Sequence, residues 1–269
     1  MLLPSRAYAT FPMSFSVLPR FHSAAPDAPT VEPVPTVFPK IAGVDLAAVF
    51  VGNRIAGDFY DSIRASPERV LIGLLDVAGR RDENRHILTA AQQIFRTVGA
   101  ELFALADINE SDAMTELCLR INRGLLEICC GPHSCPAFIA CYHEKFGTLC
   151  YTNAGHTPAL LRDAAGTSEL RSTGLPLRLF SHATCDAPAV ALEKCASLLV
   201  VSRGVVDAEG RANSHSEPFS LDRVKQVFQS APSPSAQALC TTVLNAIAEF
   251  TANAPADDDR TALALLRTA

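Results

Sequence analysis

Aspartates recur in this sequence where apolar runs give way to turns: Gly57-Asp58-Phe59-Tyr60-Asp61, Leu74-Leu75-Asp76-Val77-Ala78-Gly79 and Asp257-Asp258-Asp259-Arg260-Thr261. Carboxylates at strand ends suit a hard divalent cation, which takes oxygen ligands from rigid elements and a backbone carbonyl close enough to join them. A fourth run, Leu198 to Ala208, has the same form, a buried strand feeding a glycine turn, but it sets Arg203 where the pattern calls for aspartate. A guanidinium would then stand where a metal should sit. The chain reads as a metal-site scaffold with one wall reversed in charge. Spacing alone leaves two accounts of the acidic turns open: a divalent-metal cluster that activates water for phosphoester hydrolysis, or the ordinary preference of Asp for turns.

The elements that must position these groups follow from periodicity. Asp45–Val51 and Arg69–Leu75 read as strands, separated by a loop carrying Ser66-Pro67. Ile87, Ala91, Ile94, Val98 and Leu102 recur at helical spacing, and a second helix capped by Ser111 carries Met114, Leu117, Ile121, Leu125 and Ile128 on one face. Strand periods then take over at Phe138–Tyr142, Thr148–Thr152, Pro158–Leu161, Ala189–Leu192 and Leu198–Ser202. Two helices, about 221–228 and a segment with Leu239, Val243, Ile247 and Phe250, precede a last strand at Thr261–Leu266. Strand runs with helices inserted in blocks argue for an α+β fold, antiparallel sheets sandwiched between helix pairs. Asp58, Asp76 and Asp258 each sit at a strand end, and strand ends of one sandwich converge.

Composition narrows the function classes. With 269 residues and 48% hydrophobic content the chain can bury a large core. A net charge of -5 without a Lys/Arg run, and no Trp, argue against nucleic-acid binding. No stretch approaches the roughly 18 apolar residues of a membrane span, and Arg6, Pro12, Pro19 and Arg20 interrupt any signal-type run. Residues 1–36, rich in Pro, Ala and Ser, read as a disordered tail, and 37–269 as one domain. Nine cysteines without a C-x-x-C pair, Cys129, Cys130 and Cys135 among them, read as buried thiols in a reducing cytoplasm. His156 reads as a turn residue, and His133, His143, His182 and His215 have no spaced partner.

The same turns, taken in order with Asn122-Arg123, Asn153-Ala154-Gly155-His156, Gly174-Leu175-Pro176-Leu177 and Gly204-Val205-Val206-Asp207-Ala208, resemble the motif series of the metal-dependent PPM protein phosphatases. The subgroup is the bacterial one of the sporulation stage II E phosphatase and the stress-response sigma-factor regulators, and the likeness covers about residues 36–269. It implies a four-layer αββα sandwich with two Mg²⁺ or Mn²⁺ ions at one edge. By that resemblance Asp76 bridges both ions, the Val77 carbonyl assists one, Asp58 acts through metal-bound water, and Asp258 is the terminal ligand. Arg54 corresponds to a weakly indicated phosphate-binding arginine. The bridging water attacks phosphoserine or phosphothreonine in line. The implied partner is a phosphorylated protein, such as an anti-sigma factor antagonist, with regulation from that partner or from a homodimer.

Two departures bear on activity. Ser202-Arg203-Gly204 replaces the family's Thr/Ser-Asp-Gly, and Arg80-Arg81 removes a glycine from the start of the helix after Asp76. At an effective dielectric near 20, unit charges about 4 Å apart interact by about 4 kcal/mol, so exchanging a ligand for a cation weakens metal binding. Alternatively, Arg203 folds back onto Asp258 or Asp76 and neutralises them. Two readings stand: a phosphatase with an altered metal site holding one ion or none, and a pseudophosphatase that binds a phosphorylated signalling partner.

Overall fold

The computed structural model describes residues 33–52, 57–128, 134–210, 217–232, 234–256 and 258–268. Two five-stranded antiparallel sheets stack face to face. The first runs β2 (Phe59–Ser66), β3 (Arg69–Leu75), β4 (Ala137–His143), β5 (Thr148–Ala154), β8 (Ala189–Ala191). The second runs β1 (Val44–Val51), β10 (Arg260–Arg267), β9 (Ser197–Val201), β6 (Ala159–Asp163), β7 (Gly166–Leu170). Helices α1 (Arg81–Leu102) and α2 (Glu110–Leu126) cover the first sheet, and α4 (Ser220–Ser230) and α5 (Ala236–Phe250) cover the second. A single helical turn, α3 (Arg203–Val206), follows β9. The architecture is the α+β, four-layer αββα sandwich that the sequence implied.

Period-two alternation builds the layers. On β3, Val70, Ile72 and Leu74 face Leu198, Val200, Leu263 and Leu265 between the sheets. Leu71 and Leu75 face the other way, against Ile87, Leu88 and Phe95 of α1 and Leu117 of α2. On β10 the alternate residues Ala262, Ala264 and Leu266 lie under Leu239, Val243 and Ile247 of α5. Each fully buried side chain of this size contributes about 1.5–3 kcal/mol, so both faces of the central strands are fixed in register.

Local details differ from expectation. β2, read as loop and turn, is a strand paired along its length with β3. Its polar residues are satisfied from a distance: buried Asp61 accepts from Arg96 Nε at 2.7 Å and Nη2 at 3.0 Å, from Gln92 at 3.1 Å and from Thr36 at 3.1 Å. The cap of α2 is Asn109, whose side chain accepts from the Ser111 and Asp112 N–H groups, rather than Ser111. Pro33–Thr36, placed in the tail by composition, lie against the domain. Gln92 exchanges two hydrogen bonds of 2.7 Å with the Val34 backbone, Thr36 donates to the Tyr60 carbonyl, and Phe38 stacks on Tyr60. Residues 1–32 lie outside the described residues.

Breaking the Asp61 cluster has a foreseeable cost. Removing one partner of a buried pair costs about 3–5 kcal/mol, and the partial exposure of Arg96, 31%, lowers this to about 2–3 kcal/mol. Asp61→Ala should therefore lower urea-unfolding stability by about 2–3 kcal/mol; a change under about 0.5 kcal/mol would show the cluster to be unimportant.

Candidate functional site

Asp58 lies immediately before β2, Asp76 immediately after β3, and Asp258 just ahead of β10, so one end of the sandwich gathers strand termini from both sheets. Asp58 and Asp76 are buried, and the charge of Asp76 raises the proton affinity of Asp58. Thr261 Oγ1 donates to Asp58 Oδ2 at 2.7 Å. Thr261 is itself locked to Ser202, which donates its N–H to the Thr261 carbonyl and accepts the Thr261 N–H on its hydroxyl, each at 3.0 Å. Ser202 is thus a fully buried seam residue between β9 and β10, with no part of a nucleophile's setting.

Arg203 sits at this seam, but its side chain does not enter it. Its backbone N–H donates to Asp76 Oδ2 at 2.7 Å. The next residue, Gly204, packs so closely on Asp259 that a side chain there would run into the Asp259 carbonyl. The backbone is therefore pinned while the side chain, half exposed, turns along α3 toward Asp207, with Nε 3.7 Å from Oδ2. The expected bidentate contact with Asp258 or Asp76 is absent among the described residues. A helical turn after Ser202, in place of the glycine turn expected there, aims residue 203 outward and makes Asp207 its i,i+4 neighbour.

Electrostatics reflect the crowding. Burial, then the charge of Asp76, pushes Asp58 from an ordinary 3.8 to about 8, against the Ser202 and Thr261 hydroxyls, while Asp259 adds to the rise. Asp258, partly buried, is also raised: burial leads, the Asp259 N–H opposes it, Asp76 adds to it, and the Arg203 guanidinium opposes it. Burial lowers His156, opposed by Asp76 and by the Thr157 carbonyl. Its Nδ1 lies 3.0 Å from that carbonyl.

The Val77 carbonyl accepts the Gly57 N–H at 3.1 Å and Asn84 Nδ2 at 3.4 Å. Asn84, buried in the first turn of α1, also donates to the Ala78 carbonyl, and its Oδ1 is left without a partner. Sequence reasoning missed Asn84 and Thr261, although both stand within or just beyond the acidic turns. Arg81, which stands where the family has glycine, is the first residue of α1, and helical backbone there needs no glycine; the left-handed residue nearby is Gly79 at φ 106°.

The remaining motifs brace one another around the same end. Asn122 accepts the Arg178 N–H at 2.6 Å and donates to the Phe180 carbonyl at 2.8 Å, tying the loop after β7 to α2. His143 lies at the far end of β4 between Glu68 and Glu110, and His182 sits beside the Phe180 ring. Cys118, Cys135, Cys141, Cys150, Cys185 and Cys240 are buried free thiols, whereas Cys195, also expected to be buried, is exposed. Arg54, Cys129, Cys130, His133, His215 and Asp257 lie outside the described residues.

Among the described residues no three of His, Cys, Asp and Glu are arranged to hold a metal ion. The oxygen donors at this edge are of the type a hard divalent cation takes. Asp58 and Asp76 form a buried acidic pair, and Asn84 supplies an unpartnered amide oxygen beside the Val77 loop. Asp258 accepts the Asp259 N–H on its Oδ1 at 2.8 Å.

This sandwich with its acidic edge is the PP2C, or PPM-type, phosphatase fold. It superposes on the RsbU and RsbW domains of a Mycobacterium tuberculosis protein with a TM-score of 0.68 at 22% identity, covering 84% of this chain and 60% of that one. For the PP2C domain and regulatory fragment of Bacillus subtilis SpoIIE the values are 0.67 and 11%, covering 85% and 64%. For the PP2C domain of Pseudomonas aeruginosa SiaA they are 0.66 and 16%, covering 82% and 85%. The chain thus spans less than two thirds of the first two. No curated protein is significantly similar in sequence. The family model for stage II sporulation protein E matches residues 66–268, and the chain belongs to that family.

The raised Asp58 has a measurable signature. Between its unfolded and folded values the native protein binds more protons than the unfolded chain, so stability falls as pH rises from about 4 to about 8 and levels above that. In EDTA, Asp58→Asn should remove that slope and raise the melting temperature at pH 8. An unchanged slope would place the titration elsewhere.

Proposed function

We propose that the chain is a metal-dependent phosphoserine/phosphothreonine protein phosphatase with an altered, one-ion site. The observation that carries this reading is the buried pair Asp58 and Asp76, in electrostatic contact and with no ion pair to either among the described residues. Two such carboxylates need a proton or a cation between them. Asp76 and Asp58, with the Val77 carbonyl and the Asn84 amide oxygen alongside, would hold the ion. When bound, Mg²⁺ or Mn²⁺ supplies Lewis acidity and an activated water to phosphoester hydrolysis.

The chain's own residues do the positioning. Thr261 fixes the Asp58 carboxylate, and the Arg203 N–H fixes that of Asp76. A cavity of about 250 Å³, lined by Pro33, Val34, Thr36, Phe50 and Tyr60, opens beside Asp58 and gives a polypeptide room to approach. A phosphorylated regulatory protein of the anti-sigma antagonist kind is the proposed substrate, met in a reducing cytoplasm. The domain proposed for this work begins at about residue 37.

A second reading, a binding module for the phosphorylated partner, is favoured by a specific feature. Asp76 Oδ2 and the Val77 carbonyl already accept hydrogen bonds, and the fourth carboxylate is replaced by Arg203.

Calorimetric titration with Mn²⁺ and hydrolysis of a phosphoserine peptide separate the two. Arg203→Asp should tighten Mn²⁺ binding by about tenfold or more, the equivalent of about 1.4 kcal/mol, and Mn²⁺-dependent hydrolysis by the parent that Asp76→Asn abolishes supports the phosphatase. No metal uptake and no hydrolysis in either protein would favour the binding module.

A further inference from the structure

We infer that Arg203 is a phosphate-binding residue, its guanidinium taking the phosphoryl oxygens of the substrate at the mouth of the acidic site. The inference rests on the one-ion reading above. Three features of residue 203 support it.

Its backbone cannot move away from the site. The N–H is bonded to Asp76 at 2.7 Å, Ser202 is buried in the seam, and Gly204 is wedged against Asp259. The side chain is 52% exposed, and its one ion-pair contact among the described residues is the 3.7 Å approach of Nε to Asp207. A separation that long in an exposed i,i+4 pair holds a guanidinium only loosely. The terminal nitrogens therefore remain available to a ligand. The guanidinium also stays near the acidic edge, because Asp207, 3.7 Å from its Nε, lines the same cavity as Asp258.

Charge balance gives the inference its chemical class. The carboxyl groups of this edge, Asp58, Asp76, Asp258 and Asp259, with Asp207 beside Arg203, outnumber the charges of one divalent ion, so a phosphoester dianion approaching them meets net negative charge. One guanidinium offsets part of it. Arginine presents a planar fork of N–H donors that matches two phosphoryl oxygens at once, which an ammonium cannot do. A fixed cation at the mouth thus performs the charge-screening part of an ion's work without needing carboxylate ligands of its own. It has no part in activating water.

The test uses the full chain with Mn²⁺ and inorganic phosphate as the probe, read by calorimetry. Arg203→Ala should weaken phosphate binding by about tenfold or more, as expected for a lost charge-assisted hydrogen bond. Its Mn²⁺ affinity should stay the same or rise, because a neighbouring positive charge is gone. Arg203→Lys should fall between the two. Equal phosphate affinity in Arg203→Ala and the parent overturns the inference, and so does a joint loss of phosphate and Mn²⁺ binding. If the parent takes up no Mn²⁺, the one-ion reading fails by itself, and the phosphate titration is repeated without metal. Arg203-dependent binding in that experiment keeps the inference, and its absence overturns it.

Discussion

Two carboxylates buried side by side, Asp58 and Asp76, are the constraint around which this end of the molecule is organised. Their repulsion in a partly desolvated setting is a matter of several kcal/mol, and no single element could hold them together. Each is delivered by a different strand of the first sheet and then gripped from the second: Asp58 by Thr261 of β10, Asp76 by the N–H that begins α3 after β9. The seam bonds between Ser202 and Thr261 join those two grips into one support. The layers of the sandwich thus anchor the acidic pair from both sides.

Residue 203 separates the role of a backbone from that of a side chain. The main chain at this position does what the site needs whatever side chain it carries, since its N–H reaches Asp76 and its glycine neighbour fits under Asp259. An arginine is accommodated because α3 points it outward, where water and Asp207 solvate it. The scaffold is indifferent to the charge carried at this position. Reversed charge at the rim and intact geometry beneath it can therefore coexist.

Much of this was legible in the sequence. Alternation along β3, β9 and β10 and the helical spacing of α1 and α5 specify both the layers and the faces, because burial on two sides leaves few alternatives. The strand ends carrying Asp76 and Asp258 could be read for the same reason. β2 could not, since Asp61, Ser62 and Arg64 interrupt its pattern, and the partners that make Asp61 tolerable, Gln92 and Arg96, lie on α1. The direction of Arg203 was equally hidden. It depends on whether the chain after Ser202 turns as a loop or as a helix, a choice made by contacts with Asp259 that lie far along the chain.

Helix α1 holds both ends of a mechanical linkage. Asn84, in its first turn, is bonded to the carbonyls of Val77 and Ala78, and Gln92 is bonded in both directions to the Val34 backbone. The two side chains are eight residues apart, about 12 Å along one rigid rod. Because Gln92 touches Val34 only through main-chain atoms, it grips that segment by its backbone and not by the identity of its side chain, while Asp61 holds the same amide in place. Residues 33–36 and the loop after Asp76 therefore share a single lever, and axial displacement of either end is geometrically tied to the other.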